Sequence, residues 1–281
     1  MSSILTNNSA MNALSTLRNI NSNLSNTQDR ISSGLKVSSG KDNAAYFSIS
    51  ETMKGDSGMT KAVNEGLTLT KNVVSTGRLG AETISDLATE FVERVAFAQG
   101  EGVDRAEVQK ELEALTKRMD GIIAQSTFNG SSMFYDAADA TQATEITAVT
   151  GVTRDGAGAF QAPTTMTFGK VDMKAIATQL KTVNVETSTD LAADLQTAEA
   201  ELGKSIDAAT TLGVSEKTIE TQQDFLTSLS DKLDSGIGSM VDADMEEEAA
   251  RLQSLQVQQQ LSTQALSIAN QAPQNILSLF R

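Results

Sequence analysis

The sequence predicts a mainly α-helical chain: long antiparallel helices in nested coiled-coil layers, a small β-hairpin insert, and packing as a helical polymer. Three observations carry this. Apolar residues recur at alternating steps of 3 and 4 over most of the chain, with two prolines in 281 residues to interrupt them. Aromatic residues make up only 4%, with no Trp; long helices packed by Leu, Ile, Val, Met and Ala need less aromatic mass than a compact enzyme. Both chain ends are almost free of charge. Residues 252–280 hold no Asp, Glu, Lys or Arg, and residues 1–35 hold only Arg18, Asp29 and Arg30. Residues 1–35 sum to +1 and residues 252–281 to +1 through Arg281, so the formal −14 of the chain becomes −16 on residues 36–251. Exposed helices ordinarily carry solvated Lys and Glu. A buried seam repeated in every copy of a homopolymer must avoid charge, because the desolvation cost is paid in each subunit.

Taken in order, residues 3–33 read as a helix. Ala13, Leu17, Ile20, Leu24, Thr27 and Ile31 step by 4, 3, 4, 3 and 4, a heptad seam. Gly34 is its expected cap, and Asp42 or Asn43 is expected to cap the next helix at Ala44. Residues 44–58 read as a short helical stretch ending near Gly55 and Gly58. A long helix then spans about 60–99, with Val74, Gly77, Ala81, Ile84, Ala88, Phe91, Val95 and Ala98 as its seam. After Gly100-Glu101-Gly102, residues 104–126 form a helix seamed by Val108, Leu112, Leu115, Met119 and Ile122. So short a connection implies antiparallel packing.

Phe128-Asn129-Gly130 changes the character of the chain. Up to about residue 185 it is rich in Gly, Thr and Ala, with β-branched runs at 145–152 and 164–171, read as one or two hairpins. Helix returns near 189 and runs through Leu212-Gly213 to Ser235-Gly236. A terminal helix follows Asp242-Ala243-Asp244 and ends around Ala272-Pro273. In it Val257, Ile268 and Leu279 recur every 11 residues, as do Leu255, Leu266 and Leu277. That period predicts a nearly straight or slightly right-handed helix.

Composition excludes several classes of function. There are no cysteines and no histidines, which removes disulfides, thiolate metal sites, Ser-His-Asp and Cys-His nucleophiles and histidine acid–base chemistry. The acidic balance argues against nucleic acid or anionic lipid as partner. No apolar run reaches the ~20 residues that insert into a membrane. The first residues lack a basic region and an apolar core, so export is expected without a cleaved signal. Asp242, Asp244 and Glu246–Glu248 lack the glycine and terminal Glu of a calcium loop; acids at a helix start explain them better. No catalytic residue, metal site or cofactor is expected.

At this point the residues carry a resemblance. Ser32-Ser33-Gly34-Leu35, Lys41-Asp42-Asn43-Ala44-Ala45, Phe128-Asn129-Gly130, Leu212-Gly213 and above all residues 269–281, ANQAPQNILSLFR, resemble bacterial flagellin over nearly the whole chain. Phe280 departs from the Leu usual in that closing run. The resemblance implies an exported, non-enzymatic subunit that polymerises with itself into the extracellular bacterial flagellum. Residues 1–43 and 242–281 would form an inner coiled-coil domain around a channel. Residues 44–135 and 185–241 would form a helical outer layer, with 136–184 as a β-rich surface insert. The assembly residues expected are Leu14, Leu17, Ile20, Leu24, Ile31, Leu35, Leu252, Leu255, Val257, Leu261, Ile268, Leu277 and Leu279. Gln256, Gln259, Gln260 and Gln264 are candidates to line the channel, since amides hold a passing chain weakly.

The partners implied are the filament cap and junction proteins, a cytoplasmic flagellin chaperone on the C-terminal helix, and the flagellar type III export apparatus. A hook–filament junction protein is the alternative. Arg94 and Glu111 fall where flagellins meet an innate-immune receptor. The chain has Val92-Glu93-Arg94-Val95-Ala96, lacking the first arginine and the leucine of the family's run, so weak or absent stimulation is expected. The ends are expected to order on assembly, because lone amphipathic helices cannot bury their seams.

Overall fold

A computed structural model describes residues 7–139, 141–155 and 158–278. In chain order these form α1 (Asn8–Ser33), α2 (Ala44–Phe97), α3 (Arg105–Gln125), β1 (Glu145–Gly151), β2 (Thr164–Gly169), α4 (Met173–Leu180), α5 (Leu191–Val241) and α6 (Met245–Ser278). The chain divides into two compact units: Met1–Asp56 with Lys232–Arg281, and Ser57–Asp231.

In the first unit, α1 starts where the Asn7 side chain accepts the Ala10 N–H at 3.0 Å. It stops at Gly34, whose φ of 73° no β-carbon favours and whose N–H bonds Arg30. The segment that follows is tied to the end of α5. Lys36 donates to the Val241 carbonyl at 2.7 Å and Ala243 to that of Gly34 at 2.9 Å. Val37, Ile237 and Val241 close a small core there, backed by Leu35, Phe47, Met53 and Met240. One carboxylate oxygen of Asp42 accepts four bonds, from the amides and hydroxyls of Ser38 and Ser39. The Ser39 hydroxyl, followed by the Ser38 amide and hydroxyl, holds this carboxyl below its usual range. Asn43 caps α2 through Ala45 and Tyr46.

The second unit holds the main core. The expected seam residues Val74 to Val95 of α2 are buried, as are Ala98 just past its end and Val108, Leu112, Leu115 and Met119 of α3. Phe128 and Ser131 exchange backbone bonds of 2.8 and 2.9 Å around Asn129 and Gly130. Both central residues have positive φ, 49° and 78°, as a primed turn demands. β1 and β2 pair antiparallel with Ile146 opposite Phe168 and Ala148 opposite Met166, and a register shift between Val149 and Gly151. Ala148, Thr150 and Phe168 face the core; Gln222 of α5 donates to the Thr150 carbonyl at 2.8 Å.

Four expectations are corrected here. No break occurs at Gly55 and Gly58: α2 is one helix of 54 residues. A helical glycine costs only ~1 kcal/mol, and tertiary packing outweighs it. Likewise α5 runs past Gly236 to Val241, and α6 passes Pro273 to Ser278, although an interior proline removes a ladder bond and disfavours the helix. Lastly, α4 replaces the end of the expected β insert. Asp172 caps it through Ala175 at 2.8 Å, and Met173, Ile176, Ala177 and Leu180 bury one helical stripe.

Candidate assembly interface

Within the first unit, α1 and α6 lie against each other. On α1 the predicted seam is the inward face. Ile20 and Thr27 are buried, and Ala13, Leu17, Leu24 and Ile31 are half-buried between exposed neighbours. On α6 the matching set is Glu248, Leu252, Leu255, Gln259, Ser262, Leu266 and Ala269, at alternating steps of 4 and 3. The seam between them is therefore a heptad seam, not the 11-residue repeat.

That repeat divides between two faces. Leu255 and Leu266 meet α1, whereas Val257 and Ile268 are 55% and 69% exposed; Leu261, outside the repeat but in phase with them, is 58% exposed. Two residues of separation turn a helix by ~200°, so Val257 points away from the seam that Leu255 fills. Leu14 is exposed too, with Met11 beside it. Leu35 is half-buried in the small core. Leu277 falls in the last turn of α6, and Leu279 lies outside the described residues.

Among the described residues, three polar contacts cross the α1–α6 seam. Asn7 donates to the Ala269 carbonyl at 2.7 Å, Gln259 to the Asn21 side-chain oxygen at 2.7 Å, and Arg30 to Glu248 at 3.1 Å. Gln259 is thus half-buried and turned to α1. Gln256, Gln260 and Gln264 are exposed, and Gln264 sits in helical phase between Leu261 and Ile268 on the outward stripe. Periodicity alone missed Glu248, although its spacing to Leu252 and Leu255 is in phase with the seam.

In the second unit Arg94 and Glu111 pair across α2 and α3 at 3.4 Å, both about half exposed. Arg78 bridges Glu216 at 2.7 Å and Glu82 at 2.5 Å, and the Glu216 carboxylate, with Glu82, raises its pKa. Lys71 lowers the pKa of Glu220, helped by Lys217. No helix among the described residues is long and apolar enough to cross a membrane.

Paired chain ends, long heptad helices and a second uncharged stripe describe a fibrous, coiled-coil class of structural protein. Comparison with known families is specific. Residues 4–139 match the bacterial flagellin N-terminal helical region and residues 195–280 the bacterial flagellin C-terminal helical region. Flagellin C of Rhizobium meliloti (strain 1021) is 35% identical over 320 aligned positions spanning 100% of both chains. The flagellin of Brucella melitensis biotype 1 is 35% identical over 293, again 100% of both. Flagellin FljM of Caulobacter vibrioides is 31% identical over 281, covering 100% of this chain and 99% of that one. The chain belongs to the bacterial flagellin family. It is a structural subunit of the extracellular flagellar filament, a polymer of itself.

Proposed function

We propose that residues 1–43 and 242–281 build the core of the filament wall, and that the outward stripe of α6 is where one copy meets the next. The carrying observation is that stripe: Val257, Leu261 and Ile268 stand exposed on a helix whose other face is already occupied by α1. Exposing large apolar residues in line is unfavourable for a lone chain; burying them between copies removes the cost. Residues 44–135 and 185–241 supply a further helical layer, and 136–184 a surface insert. Gln256, Gln260 and Gln264 flank or interrupt the stripe, and lining a channel suits their neutral amides.

The subunit catalyses nothing. It leaves the cell unfolded through the flagellar type III apparatus. A cytoplasmic chaperone holds the C-terminal helix, about residues 245–281, and cap and junction proteins bound the polymer. Arg94 and Glu111 engage each other and lie in a segment that departs from the receptor-binding run, so innate-receptor stimulation is weak; a reporter-cell assay giving strong activation would overturn that.

The test of the assembly reading is Val257→Lys and Ile268→Lys in the full chain. Each places a charge on the stripe in every subunit. Circular dichroism melting of the second unit is expected to be unchanged, while seeded elongation, followed by electron microscopy, stops. Filaments of normal length from both variants would refute the reading.

A further inference from the structure

We propose that Arg30 and Glu248 are positioning residues that set the register of α1 on α6, choosing which turn of one helix meets which turn of the other. The seam itself chooses poorly. Its apolar members, Leu17, Ile20, Leu24 and Ile31 against Leu252, Leu255 and Leu266, repeat at heptad spacing. A slip of one heptad, ~10 Å along the axis, therefore exchanges one Leu or Ile contact for another. The two neutral contacts discriminate little more. Asn7 and Asn21 sit on a helix that also carries Asn12, Asn19, Asn23 and Asn26, so a displaced amide finds another partner.

The ion pair has no such substitute. Glu248 is the carboxylate on the seam: its side chain is 7% exposed, against 34% for Arg30. Its Oε1 accepts from Arg30, and its Oε2 is enclosed with no hydrogen-bond partner among the described residues. Slipping one heptad toward the start of α1 brings Glu248 beside Leu24. In that stretch of α1, before Asp29, the charge is Arg18 alone, still more than a turn away. Slipping the other way carries Glu248 past Gly34, where α1 has ended. In the first slipped register Asn23, seven residues before Arg30, takes the place of Arg30, and its neutral amide can bond the carboxylate without balancing its charge; in the second, Glu248 loses both Arg30 and the cover of α1. Loss of its partner is far costlier to a buried charge than the intact pair is favourable. The pair thus acts through the registers it penalises rather than through net stability.

The chain contains no cysteine, so introduced pairs report register cleanly. The three observed contacts set Leu24 across from Leu255 and put Leu17 one heptad away. Leu24→Cys/Leu255→Cys and Leu17→Cys/Leu255→Cys are made in the full chain, polymerised and oxidised. Gel mobility separates internal loops from dimers. In the otherwise native background the facing pair closes internally and the displaced pair does not. With Glu248→Leu added, closure of the displaced pair rises about tenfold, because the penalty on slipping is gone. Arg30→Glu/Glu248→Arg restores the native pattern.

The proposal is overturned if Glu248→Leu leaves the pattern unchanged, or if neither pair closes in it, since the pair would then be holding the helices together rather than aligning them. It is equally overturned if the exchange does not restore the pattern, or if the native background fails to close the facing pair internally. The inference concerns pairing within one chain. Electron microscopy of the same samples reads polymerisation separately, so a chain that keeps its register yet forms no filament counts against the assembly reading alone.

Discussion

Gly77 and Gly203 occupy equivalent-looking positions inside long helices, yet replacing each by Ala is expected to move stability in opposite directions. A β-carbon on Gly77 would lie 2.6 Å from Met133 Cβ and 3.0 Å from its Cγ. That neighbour cannot swing aside: a Cβ moves only with its backbone, and the Met133 carbonyl is fixed by the Val171 N–H at 2.8 Å. Overpacking of this kind costs ~1–3 kcal/mol, against a helix-propensity gain of ~1 kcal/mol for Gly→Ala. Gly77→Ala should therefore destabilise, by up to about 2 kcal/mol.

At Gly203 the added carbon meets nothing within 4 Å and the site is exposed, so the propensity gain stands alone, about 0.5–1 kcal/mol. For a unit of this size each kcal/mol moves Tm by ~2–4 °C, so the two variants should melt on opposite sides of the parent. Thermal unfolding followed by circular dichroism at 222 nm, the usual helical wavelength, measures both. Gly77→Ala melting as high as Gly203→Ala would refute the claim that close approach, and not flexibility, is why glycine stands at 77.

Three further outcomes are expected. Gln109→Leu should cost ~1–3 kcal/mol in urea unfolding, because the buried Gln109 side chain accepts the Val185 N–H at 3.0 Å and leucine leaves that donor bare. Arg78→Met should cost ~1 kcal/mol or less, the pair being partly exposed, and the difference should shrink in high salt; equal loss at all salt concentrations would contradict an ionic origin. Asp42 has a lowered pKa in the folded chain, so its contribution is present above the ordinary carboxylate value of 3.8 and is lost as pH falls through the lower folded value. Ser38 and Ser39 amide resonances should thus differ between the parent and Asp42→Asn near neutrality and converge in strong acid.

Long seams were the legible part of this chain. A periodic stripe such as Val74 to Ala98 survives any single local exception, because burial against other helices is decided by phase summed over many turns. What propensity suggested locally was overruled: glycines at 55, 58 and 236 read as stops because their cost is visible in sequence, while the packing that offsets it is not. The short α4 was hidden by its Gly- and Thr-rich surroundings, although Asp172 followed by Met173, Ile176, Ala177 and Leu180 is a capped amphipathic turn. In α6 the difficulty was different. Both an 11-residue and a 7-residue template accept Leu255 and Leu266, and periodicity does not say which helix each face meets. Glu248 was read as an acid at a helix start, since nothing in the sequence revealed that Arg30 would lie opposite.

The distribution of charge follows from what each unit must do. Residues 1–56 and 232–281 hold 8 basic and 10 acidic side chains, a net of −2, so −12 of the total −14 falls on residues 57–231. Net charge keeps separate copies soluble, but only where it stays in water does it do so without a desolvation cost. Beyond Debye distances of ~8 Å at physiological ionic strength, repulsion between exposed acids is mostly screened. A charge inside an apolar contact is not. An association surface can therefore tolerate acids on neighbouring exposed helices far better than one acid within itself. The proposed assembly stripe agrees with this, since Arg251 is the last charged side chain before Arg281. Glu248, the seam carboxylate, sits near the start of α6, where Arg30 meets it. Charge in this chain is spent where it solubilises or aligns, and is withheld from the stripe that Val257, Leu261 and Ile268 expose.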